Sequence, residues 1–118
     1  MVKDEDGELS RVQVKTATAQ RRREGFSAQF SVSVEQLRLT RTPDLIYIFA
    51  VRGSSGWGPF VVIERSVLHS EHLVHGLGSV SHGNLIFRLN YEDSKVRCSD
   101  RDFGLYLENW SYWPVIAH

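Results

Sequence analysis

Leu45-Ile46-Tyr47-Ile48-Phe49-Ala50-Val51 is an almost continuous apolar run, and it constrains the chain more than any other feature. A strand with apolar side chains on both faces needs cover on both sides, so the run reads as the central strand of a sheet. It falls far short of the roughly 20 residues that span a bilayer, and no longer apolar run exists. The 118 residues suit one domain with a core of its own. A hydrophobic content of 42% and a charged content of 24% group it with globular rather than disordered chains.

Around this run the periodicities place further elements. From Leu9 to Ala19 the residues alternate, Val12, Val14 and Thr16 pointing one way and Arg11, Gln13 and Lys15 the other, as in a half-buried strand. Asp6-Gly7 before it is a hairpin signal, which makes the first residues a short partner strand. Phe26, Ala28, Phe30 and Val32 alternate after the polar loop Gln20 to Gly25. Ser33, with Gln36 three residues on, can cap a short helix that ends before Pro43. Gly53 to Gly58 reads as a turn, Phe60 to Ile63 as a strand and Arg65 to His75 as a helix. Leu85 to Leu89 and Lys95 to Cys98 are further strands. Ser99 or Asp100 could cap a last helix carrying Phe103, Leu105, Tyr106, Leu107 and Trp110, which Pro114 would stop.

Fourteen basic and fourteen acidic residues cancel, so nucleic-acid binding would need a local patch rather than a global field. Cys98 is the only cysteine, which excludes a disulfide within the chain and suits a reducing compartment such as the cytoplasm. The acidic start, Met1 to Glu8, lacks the apolar core of a secretion signal.

Gln13-Val14-Lys15 is the motif with chemical content. Alternation sets Gln13 and Lys15 on one face of the sheet. Metal-assisted phosphodiester cleavage needs oxygen ligands for a divalent cation, and a neighbouring ammonium to orient water or stabilise developing charge. A carboxylate and an x-Lys pair on adjacent strands provide both, although here an amide stands at the first position of the pair.

Arg11-Val12-Gln13-Val14-Lys15-Thr16-Ala17 resembles the active-site strand of the PD-(D/E)XK nucleases, in the variant with Gln for the acidic residue. Thr42 to Ala50 resembles the central buried strand of uncharacterised members, Trp57 to Leu68 their next strand and helix, and Tyr106 to Trp110 a common tail. The resemblance spans most of the chain, with residues 1–118 forming one domain. It implies an α/β (α+β) fold, the restriction-endonuclease-like central mixed β-sheet flanked by helices. It further implies a DNA endonuclease dependent on Mg²⁺ or Mn²⁺. Gln13 and the backbone carbonyl of Val14 would hold the metal, and Lys15 would act on the water or the phosphate.

The pattern departs from the family at its front end, where an N-terminal helix and an essential Asp precede the hairpin. A two-residue Asp6-Gly7 turn pairs Asp4 with Leu9, leaving Asp4 on the correct face but about 13 Å along the strand from Gln13. One metal ion cannot bridge that span, so Asp4 is a poor stand-in ligand. The usual Asp is then expected upstream of Met1 or absent, and the domain inactive as it stands.

Arg21-Arg22-Arg23 follows the candidate strand directly, where guanidinium forks suit DNA phosphates, although such runs are as often plain solvated loops. His69, His72 and His75 lack the cysteine or carboxylate partners of a zinc site. Trp110, Tyr112 and Trp113 suit core or subunit packing. Two alternatives therefore stand beside the nuclease: a non-catalytic module that binds DNA or a protein, and a homodimer built on the aromatic tail.

Overall fold

The computed structural model describes residues 2–3, 9–40, 43–54, 56–93 and 95–110. In chain order these form β1 (Val2–Lys3), β2 (Leu9–Thr18), β3 (Gln20–Arg21), β4 (Phe26–Ser33) and α1 (Val34–Arg38). Next come β5 (Leu45–Gly53), β6 (Gly56–Glu64), α2 (Arg65–His75) and β7 (Ser79–Ser81). β8 (Asn84–Glu92), β9 (Lys95–Cys98), β10 (Arg101–Asp102) and a 3-10 turn at Gly104–Tyr106 complete the described part.

The apolar run is the centre of a four-stranded sheet ordered β1-β2-β5-β6. β5 lies parallel to β2, with Gln13 opposite Tyr47 and Lys15 opposite Phe49, and antiparallel to β6, with Ile48 opposite Val62. As the unbroken hydrophobicity requires, both of its faces are covered. Tyr47, Phe49 and Val51 enter the main core, while Ile46 and Ile48 join Val62 in a second cluster with Val12, Phe60 and Trp110.

A second sheet, ordered β10-β9-β8-β4-β3 with β7 also paired to β8, covers the inner face of the first. Its alternation is regular. Ala28, Phe30 and Val32 on β4 and Leu85, Phe87 and Leu89 on β8 are buried, whereas Gln29 and Ser31 between them are exposed. The two sheets meet at Phe49, whose ring lies 5.0 Å from that of Phe30 and 5.1 Å from that of Phe87.

This architecture overturns the expected α/β sheet flanked by helices. Strands dominate, and the described residues hold only two α-helices, of 5 and 11 residues. The cause lies in β4 and β8: two strands whose burial alternates, β4 from Ala28 onward and β8 throughout, cover the central sheet where the nuclease arrangement would place helices. Over the described residues up to Trp110, the last expected α-helix does not form either. The Phe103 N–H donates to the Val96 carbonyl and the Gly104 N–H to the Asp102 carboxylate, so strand pairing and a tight turn claim the backbone donors a helix would use. Phe103 itself is fully buried, while Leu105 is 80% exposed.

The two real helices start where the sequence indicated. Ser33 caps α1 by accepting from the Gln36 N–H at 3.2 Å. α2 ends at Gly76, in the left-handed region, with the Leu77 N–H donating back to the Glu71 carbonyl. No described helix is long and apolar enough to cross a membrane.

Arg65 and Asp44 form an ion pair between the start of α2 and the approach to β5. Arg65 is buried, its Nε 2.7 Å from the Asp44 carboxylate and its Nη1 2.6 Å from the Leu37 carbonyl. The second Asp44 oxygen accepts from the Ser66 N–H, so a residue before β5 caps α2. Burial alone would raise the Asp44 pKa, but the hydrogen bonds from Arg65 and Ser66 outweigh it and hold the carboxyl below its ordinary value. A depressed folded value contributes stability above the unfolded value near 3.9, and the contribution is lost as pH falls through the folded one. Asp44→Asn strands a buried guanidinium and is expected to cost about 3 kcal/mol at pH 7. Urea unfolding at pH 7 and pH 3 should show the wild type losing more stability than the variant between the two. Equal losses would place the acid sensitivity elsewhere.

Candidate functional site

Gln13 and Lys15 do share one face of β2, as alternation demands. That face, however, is the inner one: their ladder partners Tyr47 and Phe49 are fully buried, and Ala17 further along packs on the main core. Both residues are half-buried, whereas Val14, on the opposite face, is 55% exposed. The Gln13 side-chain oxygen is buried without a hydrogen-bond partner.

Asp4, the Asp6-Gly7 turn, Tyr112, Trp113 and Pro114 lie outside the described residues. The hairpin register is set by Val2 opposite Ser10 and Lys3 opposite Leu9, one step from the pairing expected of a two-residue turn.

A divalent cation such as Mg²⁺ or Mn²⁺ takes six or more oxygen ligands, carboxylates foremost. Gln13 offers one orphaned amide oxygen. Among the described residues no group of three His, Cys, Asp or Glu side chains is placed to hold a metal. Asp44 is occupied by Arg65 and Ser66. The described donor set therefore does not fit the ion. His72 is engaged locally, its Nδ1 lying 2.7 Å from the Leu77 carbonyl. Cys98 is buried, which pushes its thiol up to about 11 and leaves it protonated at neutral pH.

The Arg21-Arg22-Arg23 loop has a richer setting than its sequence suggested. The parallel ladder brings the end of β2 to the end of β5, where the Ala19 N–H donates to the Arg52 carbonyl at 2.8 Å. The loop closes through the Arg22 N–H donating to the Gly25 carbonyl. Gly25 has a φ of +95°, and a Cβ there would collide with the Tyr91 carbonyl, so the position requires glycine. Arg22 is further oriented by its Nε, which donates to the Ser27 hydroxyl at 2.9 Å.

Together the loop and the β5–β6 hairpin line a cleft of about 920 Å³. Arg21, Arg22, Arg23 and Arg52 all contribute to its wall, and among the described residues no acidic one does. All four are exposed, and none forms a salt bridge to a carboxylate among the described residues. Two smaller cavities carry both signs of charge: one of about 410 Å³ has Glu35 beside the already paired Arg65, and one of about 370 Å³ has Arg22 beside Glu24 and Glu92.

Sequence reading found the three consecutive arginines but missed Arg52, about thirty positions away. The available signal was its place as the first charged residue after the apolar run, which fixes it at a strand end. Trp57 was also missed as a member of this region. It pairs with Arg52 across the hairpin, and the Arg52 guanidinium carbon lies 6.0 Å from its ring centroid. Trp110 packs within the chain against Phe60, ring centroids 5.8 Å apart.

In fold and site, then, the molecule is a small two-sheet β domain with an arginine-lined cleft. No family model, no curated protein and no solved structure matches the chain.

Proposed function

We propose that the domain binds nucleic acid through its phosphate backbone at the arginine cleft, without cutting it. The observation that carries this reading is the convergence on one concave wall of four arginines that, among the described residues, form no salt bridge and share that wall with no carboxylate. A chain of zero net charge has no overall attraction for a polyanion. Such a local concentration of cations supplies the attraction at one place, and guanidinium forks match phosphate oxygens in pairs. DNA is the polymer that sequence reading pointed to. Fluorescence anisotropy of a labelled oligonucleotide, titrated with protein from 50 to 300 mM salt, tests the reading. Affinity should fall steeply and linearly in log salt, since each neutralised phosphate releases counterions. Absence of binding at 50 mM salt would end it.

A second reading, metal-dependent DNA cleavage, would need ligands beyond the described residues, and has one observation in its favour: the orphaned Gln13 oxygen beside Lys15 on the same face. The pair Gln13→Leu and Lys15→Ala separates the readings. If Gln13 is only an unsatisfied core amide, Gln13→Leu removes a desolvation penalty, and stability should stay unchanged or rise by about 1 kcal/mol. Duplex DNA should then remain intact with 10 mM Mg²⁺ or Mn²⁺. Cleavage by the wild type that disappears in Lys15→Ala would establish the nuclease instead.

A further inference from the structure

We infer that the cleft takes single-stranded nucleic acid, with Trp57 as the platform on which a base stacks. The inference rests on the phosphate-binding reading above and adds a substrate class to it. Trp57 does not itself line the cleft; it lies on the β5–β6 hairpin between Ser54 and Gly58, which do, and pairs across the hairpin with Arg52, which also does. It is 55% exposed, an unusual position for the largest apolar side chain in a domain that buries its other hub aromatics. Arg52 joins the two halves of the site. Its guanidinium sits near the indole, 6.0 Å from the ring centroid, and it also lines the wall that carries Arg21, Arg22 and Arg23.

A cationic groove that follows the backbone, with an aromatic face for the bases, is the combination that binds single strands without reading sequence. A duplex keeps the faces of its bases inside the stack, where an indole cannot reach them without unpairing. Neither α1 nor α2 lines the cleft, so no described helix is placed there to enter a major groove. Both the exposed indole and the arrangement of the arginines are satisfied by an unstacked strand lying across the hairpin.

The test compares fluorescein-labelled (dT)12, (U)12 and a 12-base-pair DNA duplex at 100 mM salt, using wild type, Trp57→Ala and Trp57→Phe. Both single strands should bind at least tenfold tighter than the duplex. Trp57→Ala should lose about tenfold or more on the single strands and little on the duplex, while Trp57→Phe keeps most of the wild-type affinity. The ratio of (dT)12 to (U)12 distinguishes DNA from RNA as the source of the strand. Duplex binding as tight as single-strand binding, or Trp57→Ala indistinguishable from wild type, overturns the inference and leaves the phosphate reading intact. Failure of all three polymers to bind overturns both.

Discussion

Replacing Arg21, Arg22 and Arg23 together by alanine should lower nucleic-acid affinity roughly a hundredfold at 0.1 M salt. The magnitude follows from counterion release: three phosphate contacts on a single strand contribute about 2 to the slope of log K against log salt. The same variant should therefore show a salt dependence shallower by about that amount. A mere change in fold would not produce that signature, and the three side chains are exposed. Arg52→Ala should act in the same direction with about a third of the effect on slope. It lies on a different strand, so agreement between the two variants would locate the ligand in the cleft rather than on the loop alone. Anisotropy titrations at four salt concentrations supply both numbers. Unchanged affinity in the triple variant would remove the arginines from any binding role.

The second large effect concerns stability. Phe49 is fully buried and its ring contacts Phe30 on β4, Phe87 on β8 and Tyr47 beside it on β5, the last at 5.6 Å between centroids. Phe49→Ala removes a large apolar volume at the point where the two sheets meet, and should cost about 3–5 kcal/mol. That is a large share of the roughly 5–15 kcal/mol by which single domains are stable, so the variant should be partly unfolded at 37 °C. Val14→Ala is the natural control. Val14 is on the same strand as Gln13 but 55% exposed, and its truncation should change stability by no more than about 0.5 kcal/mol. Urea denaturation of both variants checks the pair. A costly Val14→Ala beside a mild Phe49→Ala would mean that the inner and outer faces of the central sheet are reversed.

Those two residues also mark the limit of what the sequence discloses. Local patterns were readable where one short stretch carries the whole signal. The run Leu45 to Val51 required a strand with two covered faces, and β5 is one. The alternation from Phe26 to Val32, the cap at Ser33 and the extent of the helix Arg65 to His75 are likewise properties of adjacent residues.

What failed depends on partners distant in the chain. Alternation along β2 has period two but no sign. Which parity faces the main core is decided by Tyr47 and Phe49 across the ladder, which turn Gln13 and Lys15 inward. The apolar residues from Phe103 to Leu107 suggested a helix, yet the Val96 carbonyl takes the Phe103 N–H into strand pairing. Cover for the sheet was expected from helices, but the alternation in β4 and β8 was itself the sign of a second sheet. The cleft was half legible. Arg21, Arg22 and Arg23 announce themselves as a run, while Arg52 and Trp57 join them only because β2 and β5 end side by side.

The location of the ligand can be read most directly by titrating (dT)12 into isotope-labelled protein and following amide and arginine Nε–H resonances. Shifts should concentrate at Ala19 to Gly25 and at Arg52 to Phe60, including the arginine Nε–H signals of the loop. Shifts that instead cluster around Gln13 and Lys15, or that avoid both arginine segments, would contradict the account.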